Sequence, residues 1–331
     1  MAAKLSLAKL MAQVENGEIS AERAKRYFLI DKTSRAAFAP SLRFNPRTVD
    51  IAGLESSAEA VATALARDID LAEARARAAA EPRSFALKAY GAKDAVAAAE
   101  LGATILAEGD SWFDLPPFIY PRTLIDFLGR THRVVTLAKW GDTLESMIAK
   151  KEFVAPLRTG AFRQFLFSGG GNDIVGGGHI EIFLRQFDIA HTDPSDAPWY
   201  VNDQFIFALD RVMGLYRDLL RIVRRESPST KLLVHGYDYA IPQRDGPWLG
   251  KGMEFRGLHP AHRPELCRAI IKVMIDAFNA KLRLFAQQSS GDVVYVNLRS
   301  ITGPREWYDE LHAREIATER FAQAFDGAIG P

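Results

Sequence analysis

Ala103-Thr104-Ile105-Leu106-Ala107-Glu108-Gly109-Asp110-Ser111-Trp112 joins a short apolar run to Gly-Asp-Ser, and its reading decides the fold. A run this short, with turn residues behind it, fits a strand buried on both faces. The same texture recurs downstream as Arg133-Val134-Val135-Thr136-Leu137-Ala138, Gln164-Phe165-Leu166-Phe167-Ser168, Lys231-Leu232-Leu233-Val234-His235 and Asp292-Val293-Val294-Tyr295-Val296. Helical segments separate these runs. One lies around Arg122–Leu128, and another begins at Asp142 and carries Leu144, Met147 and Ile148. A long one presents Phe205, Leu209, Val212, Met213, Tyr216, Leu219, Leu220 and Val223 at helical spacing. Two more run from about Pro264 to Gln287 and from about His312 to the end. Strand and helix in strict alternation predict an α/β fold, a three-layer α/β/α sandwich around a five-stranded parallel sheet of flavodoxin-like type.

Ahead of this unit, residues 1–101 are Ala-rich and read as a helical N-terminal extension, leaving 102–331 as the α/β domain. Asn16-Gly17 breaks the first helix, Ser20 is placed to cap the second, and Ser56 with Glu59 forms a capping-box pattern. Pro40 to Gly53 reads as a loop because of Pro40, Asn45-Pro46 and Gly53. The extension is a candidate cap or homo-oligomerisation arm. Within the α/β domain, 176–202 is irregular, with His179, His191 and Trp199, and is expected to form a lid or pocket wall.

Composition narrows the function. Of 331 residues 48% are hydrophobic, enough for a large core, and 42 Lys and Arg against 41 Asp and Glu leave a net charge of +1. No basic face for nucleic acid is expected at that balance. Cys267 is the only cysteine, so neither an internal disulfide nor a cysteine-based zinc site is available. No run of about 18 uncharged apolar residues spans a bilayer. The first residues lack an unbroken apolar core of the secretory kind, so the expectation is a cytoplasmic protein without a membrane span.

In a parallel α/β sheet ligands bind beyond the carboxyl ends of the strands, and the chemically capable residues fall there. Ser111 follows the first strand, Gly141 the second, Gly169-Gly170-Gly171-Asn172-Asp173 the third, and Asp309 with His312 the fifth. A serine hydroxyl becomes a nucleophile only with a base in hydrogen-bond reach. His312 fits that role, and Asp309, taken as one helical turn earlier, fits the carboxylate that orients it. Backbone N–H of Ser111 and Gly141 and the side-chain amide of Asn172 are the candidate donors for an oxyanion. Asp238 is the fallback partner for His312, and Asp110 reads as a structural hydrogen-bonding residue. Trp112, Asp173, His235 and Tyr237 are candidate pocket-lining residues. His259 and His262 read as loop residues, and Trp199 and Trp248 as packing residues. No metal site is expected.

The glycine clusters do not make a phosphate cradle, since no Gly-Lys-Ser/Thr follows them and no Gly-x-Gly-x-x-Gly opens on the first strand. The Gly-x-Ser-x-Gly elbow is also absent around Ser111.

Four blocks in order, Gly109-Asp110-Ser111-Trp112, Gly141, Gly170-Gly171-Asn172-Asp173 and Asp309-x-x-His312, resemble the SGNH (GDSL-like) hydrolase superfamily, with Trp112 where that family usually has leucine. The resemblance covers about residues 103–328. It implies a serine hydrolase that cleaves carboxylic esters through an acyl-enzyme, needs no cofactor and takes a small-molecule ester or acylated substrate. Two alternatives stand beside it: an acyltransferase using the same acyl-enzyme, and a non-catalytic binding or scaffold protein on the same fold.

Overall fold

The computed structural model describes residues 4–31, 41–51, 57–117 and 119–329. Its centre is a six-stranded, wholly parallel sheet. The strands fall among the helices as the alternation requires, although the first of them lies upstream of the expected domain boundary.

The N-terminal part holds β1 (Leu5–Ser6), α1 (Leu7–Glu15), α2 (Ala21–Ala24), β2 (Phe28–Asp31), β3 (Ser41–Phe44), β4 (Val49–Asp50) and α3 (Ala58–Ala80). The expectation of an all-helical extension is therefore corrected. Phe28–Asp31 pairs antiparallel with Ser41–Phe44, and Leu5–Ser6 pairs with Val49–Asp50. The stretch read as a loop from Pro40 thus contains two strands. Apolar burial explains why: Phe28, Leu42, Phe44 and Val49 are buried with Leu10 of α1 and Leu65 and Ile69 of α3 in one cluster. Ser20 accepts the Arg23 N–H as a cap should, whereas the Ser56 capping pattern lies outside the described residues.

Next come β5 (Phe85–Lys88), α4 (Ala92–Glu100), β6 (Ile105–Gly109), α5 (Leu124–Leu128), β7 (Arg133–Thr136), α6 (Leu144–Lys150), α7 (Val154–Arg158), β8 (Gln164–Ser168) and α8 (Gly171–Val175). Then follow α9 (Ala197–Tyr200), α10 (Asp203–Glu226), β9 (Lys231–His235), α11 (Gly250–Phe255), α12 (Pro264–Gln287), β10 (Val293–Val296) and α13 (Glu315–Ile329). In space the sheet runs β10-β9-β8-β6-β7-β5. Omitting β5 leaves the flavodoxin-like order 2-1-3-4-5. The sixth strand, β5, corrects both the strand count and the placing of 85–101 in the extension, for it extends the sheet beyond β7.

Side chains alternate across the strands and divide the core into two layers. Leu106, Val135, Phe165, Phe167, Leu232 and Val234 face α10 and α12, while Ile105, Ala107, Val134, Leu166 and Leu233 face α5 and α13. Every apolar residue predicted on the inner stripe of α10 is buried. Among the described residues no helix is long and apolar enough to cross a membrane.

Candidate active site

The strand order reverses at β6 and β8, which leave the centre of the sheet toward opposite neighbours. That reversal opens the crevice where ligands of such sheets bind. Ser111 is two residues past the end of β6, and Asn172 is in the first turn of α8, directly after β8.

Ser111 sits in a tight turn in which Phe113 and Asp114 donate their N–H groups to the Asp110 carbonyl. Its hydroxyl is 2.9 Å from His312 Nε2. On the other side of the ring, His312 Nδ1 lies 2.8 Å from Asp309 Oδ2 and 3.0 Å from Oδ1. An ionised carboxylate only accepts, so Nδ1 carries the proton and Nε2 is free to take one from the serine. Asp309 is not on a helix as expected. It lies in a turn ahead of α13, which begins at Glu315, and its Oδ1 accepts the N–H groups of Leu311 (2.9 Å) and His312 (2.8 Å). Burial raises the Asp309 pKa. His312, its hydrogen bond and these N–H groups outweigh that, and the carboxyl is held below its ordinary value. The rings of Tyr120 and Trp248 both stand edge-on to the imidazole, centroids 5.8 Å away.

Gly141 occupies the third position of a turn closed by Asp142 N–H to the Lys139 carbonyl, 3.1 Å, with φ of 82°. That conformation is strained for any residue with a Cβ. The turn delivers the Asp142 carbonyl to Asn172, whose Nδ2 donates to it at 2.8 Å. A primary amide has two hydrogens, so this bond fixes the side chain and leaves one donor over.

Asp110 is the structural residue expected of it. Its carboxylate is fully buried and accepts from Ser168 Oγ at 2.7 Å, from Trp112 N–H at 3.0 Å and from the Tyr237 hydroxyl. Burial raises its pKa in spite of these donors. Tyr237 in turn accepts the Gly171 N–H at 3.0 Å, so the ends of β6, β8 and β9 are tied together behind the serine.

Beside Ser111, Asn172, Trp112 and Tyr237 opens a cavity of about 90 Å³. Its remaining wall is largely apolar, with Ile174, Val175, Ile180, Phe205, Leu249, Ile271, Met274 and Phe278. Of the irregular 176–202 segment Ile180 reaches this cavity, so the segment contributes a pocket wall.

Two expected lining residues lie elsewhere. Asp173 points sideways and accepts the N–H groups of Leu144 (2.7 Å) and Glu145 (3.1 Å), satisfying the orphan donors that open α6. His235 is sealed among Phe113, Trp112, Tyr237 and Phe325, and burial drives its pKa down to about 3. It is a neutral packing residue. Asp238 does not serve as the alternative partner of His312: it accepts the N–H groups of Ser300, Ile301 and Thr302 and so holds the chain after β10. Glu310 was missed by sequence reasoning. It is 1% exposed, and burial raises its pKa against four backbone N–H donors. Among the described residues no group of three or more His, Cys, Asp or Glu side chains is arranged to hold a metal ion.

No protein-family model and no curated protein matches the chain. It is similar to several solved structures. An extracellular lipase from Streptomyces rimosus has a TM-score of 0.45 and 13% identity, over 68% of this chain and 99% of that one. A GDSL-like lipase from Bacteroides thetaiotaomicron has a TM-score of 0.42 and 14% identity, over 70% of this chain and 89% of that one. A carbohydrate esterase family 3 protein from Talaromyces cellulolyticus has a TM-score of 0.38 and 13% identity, over 69% of this chain and 96% of that one.

Proposed function

We propose that this protein is a serine hydrolase of SGNH type that cleaves carboxylic esters through an acyl-enzyme on Ser111. The observation that carries the reading is the unbroken chain of contacts from Ser111 Oγ through His312 to Asp309, set at the reversal point of the sheet. His312 takes the hydroxyl proton as the oxygen attacks the ester carbonyl, then gives it to the departing alcohol. Water enters next, His312 deprotonates it, and attack on the acyl-enzyme returns the free acid and Ser111. Asp309 keeps the imidazole in the required tautomer and stabilises its charged form. Ser111 N–H, Gly141 N–H and the uncommitted Asn172 N–H are the proposed donors to the tetrahedral oxyanion.

The apolar cavity beside Ser111 suits an acyl chain rather than a polar alcohol. Burial of one methylene is worth about 0.8 kcal/mol, or roughly fourfold in kcat/KM. On a p-nitrophenyl ester series, kcat/KM is expected to climb from acetate over a few methylenes. It then falls once the chain extends past the apolar wall beside Ser111, so palmitate is poor. A fluorophosphonate is expected to label Ser111 in the folded protein. Folded protein that resists the label would sink the hydrolase reading. Labelled protein inert toward every ester in the series would overturn hydrolysis in favour of acyl transfer.

Asn172→Ala removes one oxyanion donor and leaves the nucleophile and base in place. Turnover is expected to fall by on the order of 10²–10³, chiefly in kcat. A variant within a factor of about three of wild type would exclude the amide from the oxyanion hole.

A further inference from the structure

We propose that Glu310 is a positioning residue that ties the turn bearing Asp309 and His312 to the wall of the apolar cavity, and thereby sets which acyl chains Ser111 accepts. This rests on the esterase reading above and adds to it a determinant of chain-length preference.

The Glu310 carboxylate is enclosed by a single loop. Its Oε1 accepts the N–H groups of Gln243 at 2.9 Å and Gly250 at 2.8 Å, and its Oε2 those of Trp248 at 2.9 Å and Leu249 at 3.1 Å. The Glu310 carbonyl accepts a fifth N–H, from Ile241 at 3.2 Å. Four backbone donors on one carboxylate are the kind of compensation a buried charge requires. The loop is built closely around it. A Cβ added at Gly246 would lie 2.1 Å from the Glu310 carboxyl carbon, and one at Gly250 would lie 1.8 Å from the Gln243 carbonyl oxygen.

What this loop carries makes the anchor functional. Leu249 lines the cavity, and Trp248 places its ring edge-on to His312. Gly250 begins α11, which packs on Ile180, another lining residue: a Cβ at Gly252 would come within 2.6 Å of Ile180 Cγ2. Just past α11, Arg256 Nε donates to the Glu181 carbonyl at 2.8 Å, and the Arg256 carbonyl accepts the Phe187 N–H at 2.7 Å. One carboxylate, next but one to the base, therefore holds both Leu249 and the buttress of Ile180.

Glu310→Gln turns one acceptor into an NH₂ that faces two N–H donors, which releases part of the loop and leaves Asp309 and His312 unchanged. Amide hydrogen exchange at Gln243, Trp248, Leu249 and Gly250 is expected to speed up about tenfold or more, the scale of one lost buried polar contact, with the sheet strands protected as in wild type. On the ester series the loss in kcat/KM is expected to grow with acyl length and to reside more in KM than in kcat. Gly246→Ala, which keeps the carboxylate and crowds the loop off it, should reproduce that pattern; it also carries the test if Glu310→Gln does not fold. Unaltered exchange at the four amides overturns the proposal. So does an equal loss on every ester confined to kcat, since Glu310 would then act on His312 rather than on the cavity. Exchange is read without turnover, so a wild-type protein inert toward all esters counts against the esterase reading alone.

Discussion

Ser111→Ala is expected to lower ester turnover by on the order of 10⁶, to the level that binding and the oxyanion donors sustain without a nucleophile. The covalent adduct with a fluorophosphonate disappears as well. The size follows from the geometry. Ser111 Oγ makes a 2.9 Å contact with His312 Nε2, and the turn it stands in is held by backbone bonds to Asp110 rather than by the serine side chain. Removing the hydroxyl therefore takes away the attacking atom and little else. Stability should change by no more than about 1 kcal/mol, the worth of one hydrogen bond. Purified Ser111→Ala with an unchanged melting temperature and activity above about 1% of wild type would exclude Ser111 as nucleophile.

How much of this was legible in the sequence depends on where each residue finds its partners. The strands β6 to β10 could be read because they are short apolar runs most of whose residues are buried, and α10 because its buried stripe repeats at helical spacing. Strand β5 was missed because Phe85-Ala86-Leu87-Lys88 stands between Ala-rich helices, and only its pairing with β7 makes it a strand. The hairpin of β2 and β3 was hidden for a similar reason. Its burial against α1 and α3 is a tertiary fact that no local propensity encodes. In the candidate site, Ser111, Asn172 and His312 could be singled out because strand ends converge at the switch of a parallel sheet and because their blocks resemble the SGNH pattern. Asp173 misled because its neighbour Asn172 faces the crevice, while its own carboxylate turns away to the first N–H groups of α6. Glu310 left no sequence trace: its donors lie some sixty residues upstream and are all backbone, so residue type says nothing about them.

The second large effect concerns the base. His312→Ala should cost nearly as much as Ser111→Ala, because a serine hydroxyl without a base in reach is a poor nucleophile. The double variant Ser111→Ala/His312→Ala is expected to be no slower than either single one. Residues that act as one unit lose their function once, and the residual rate belongs to binding and the oxyanion donors. The pH profile supplies a separate check. A general base acts only in its unprotonated form, so wild-type activity is expected to rise with pH, and in His312→Ala that limb flattens. Asp309 does not produce it. Its carboxyl is held below the ordinary value by His312 and two backbone N–H groups, despite burial, so it stays charged across the neutral range. The sign for stability follows. A depressed carboxyl contributes fully above its unfolded value of about 4, and that contribution is lost as pH falls through the lower folded value. The acid loss of stability from Asp309 is therefore a carboxylate transition, distinct in origin from the acid limb of activity. Multiplicative losses in the double variant, or a limb that survives His312→Ala, would remove His312 from the proton transfer.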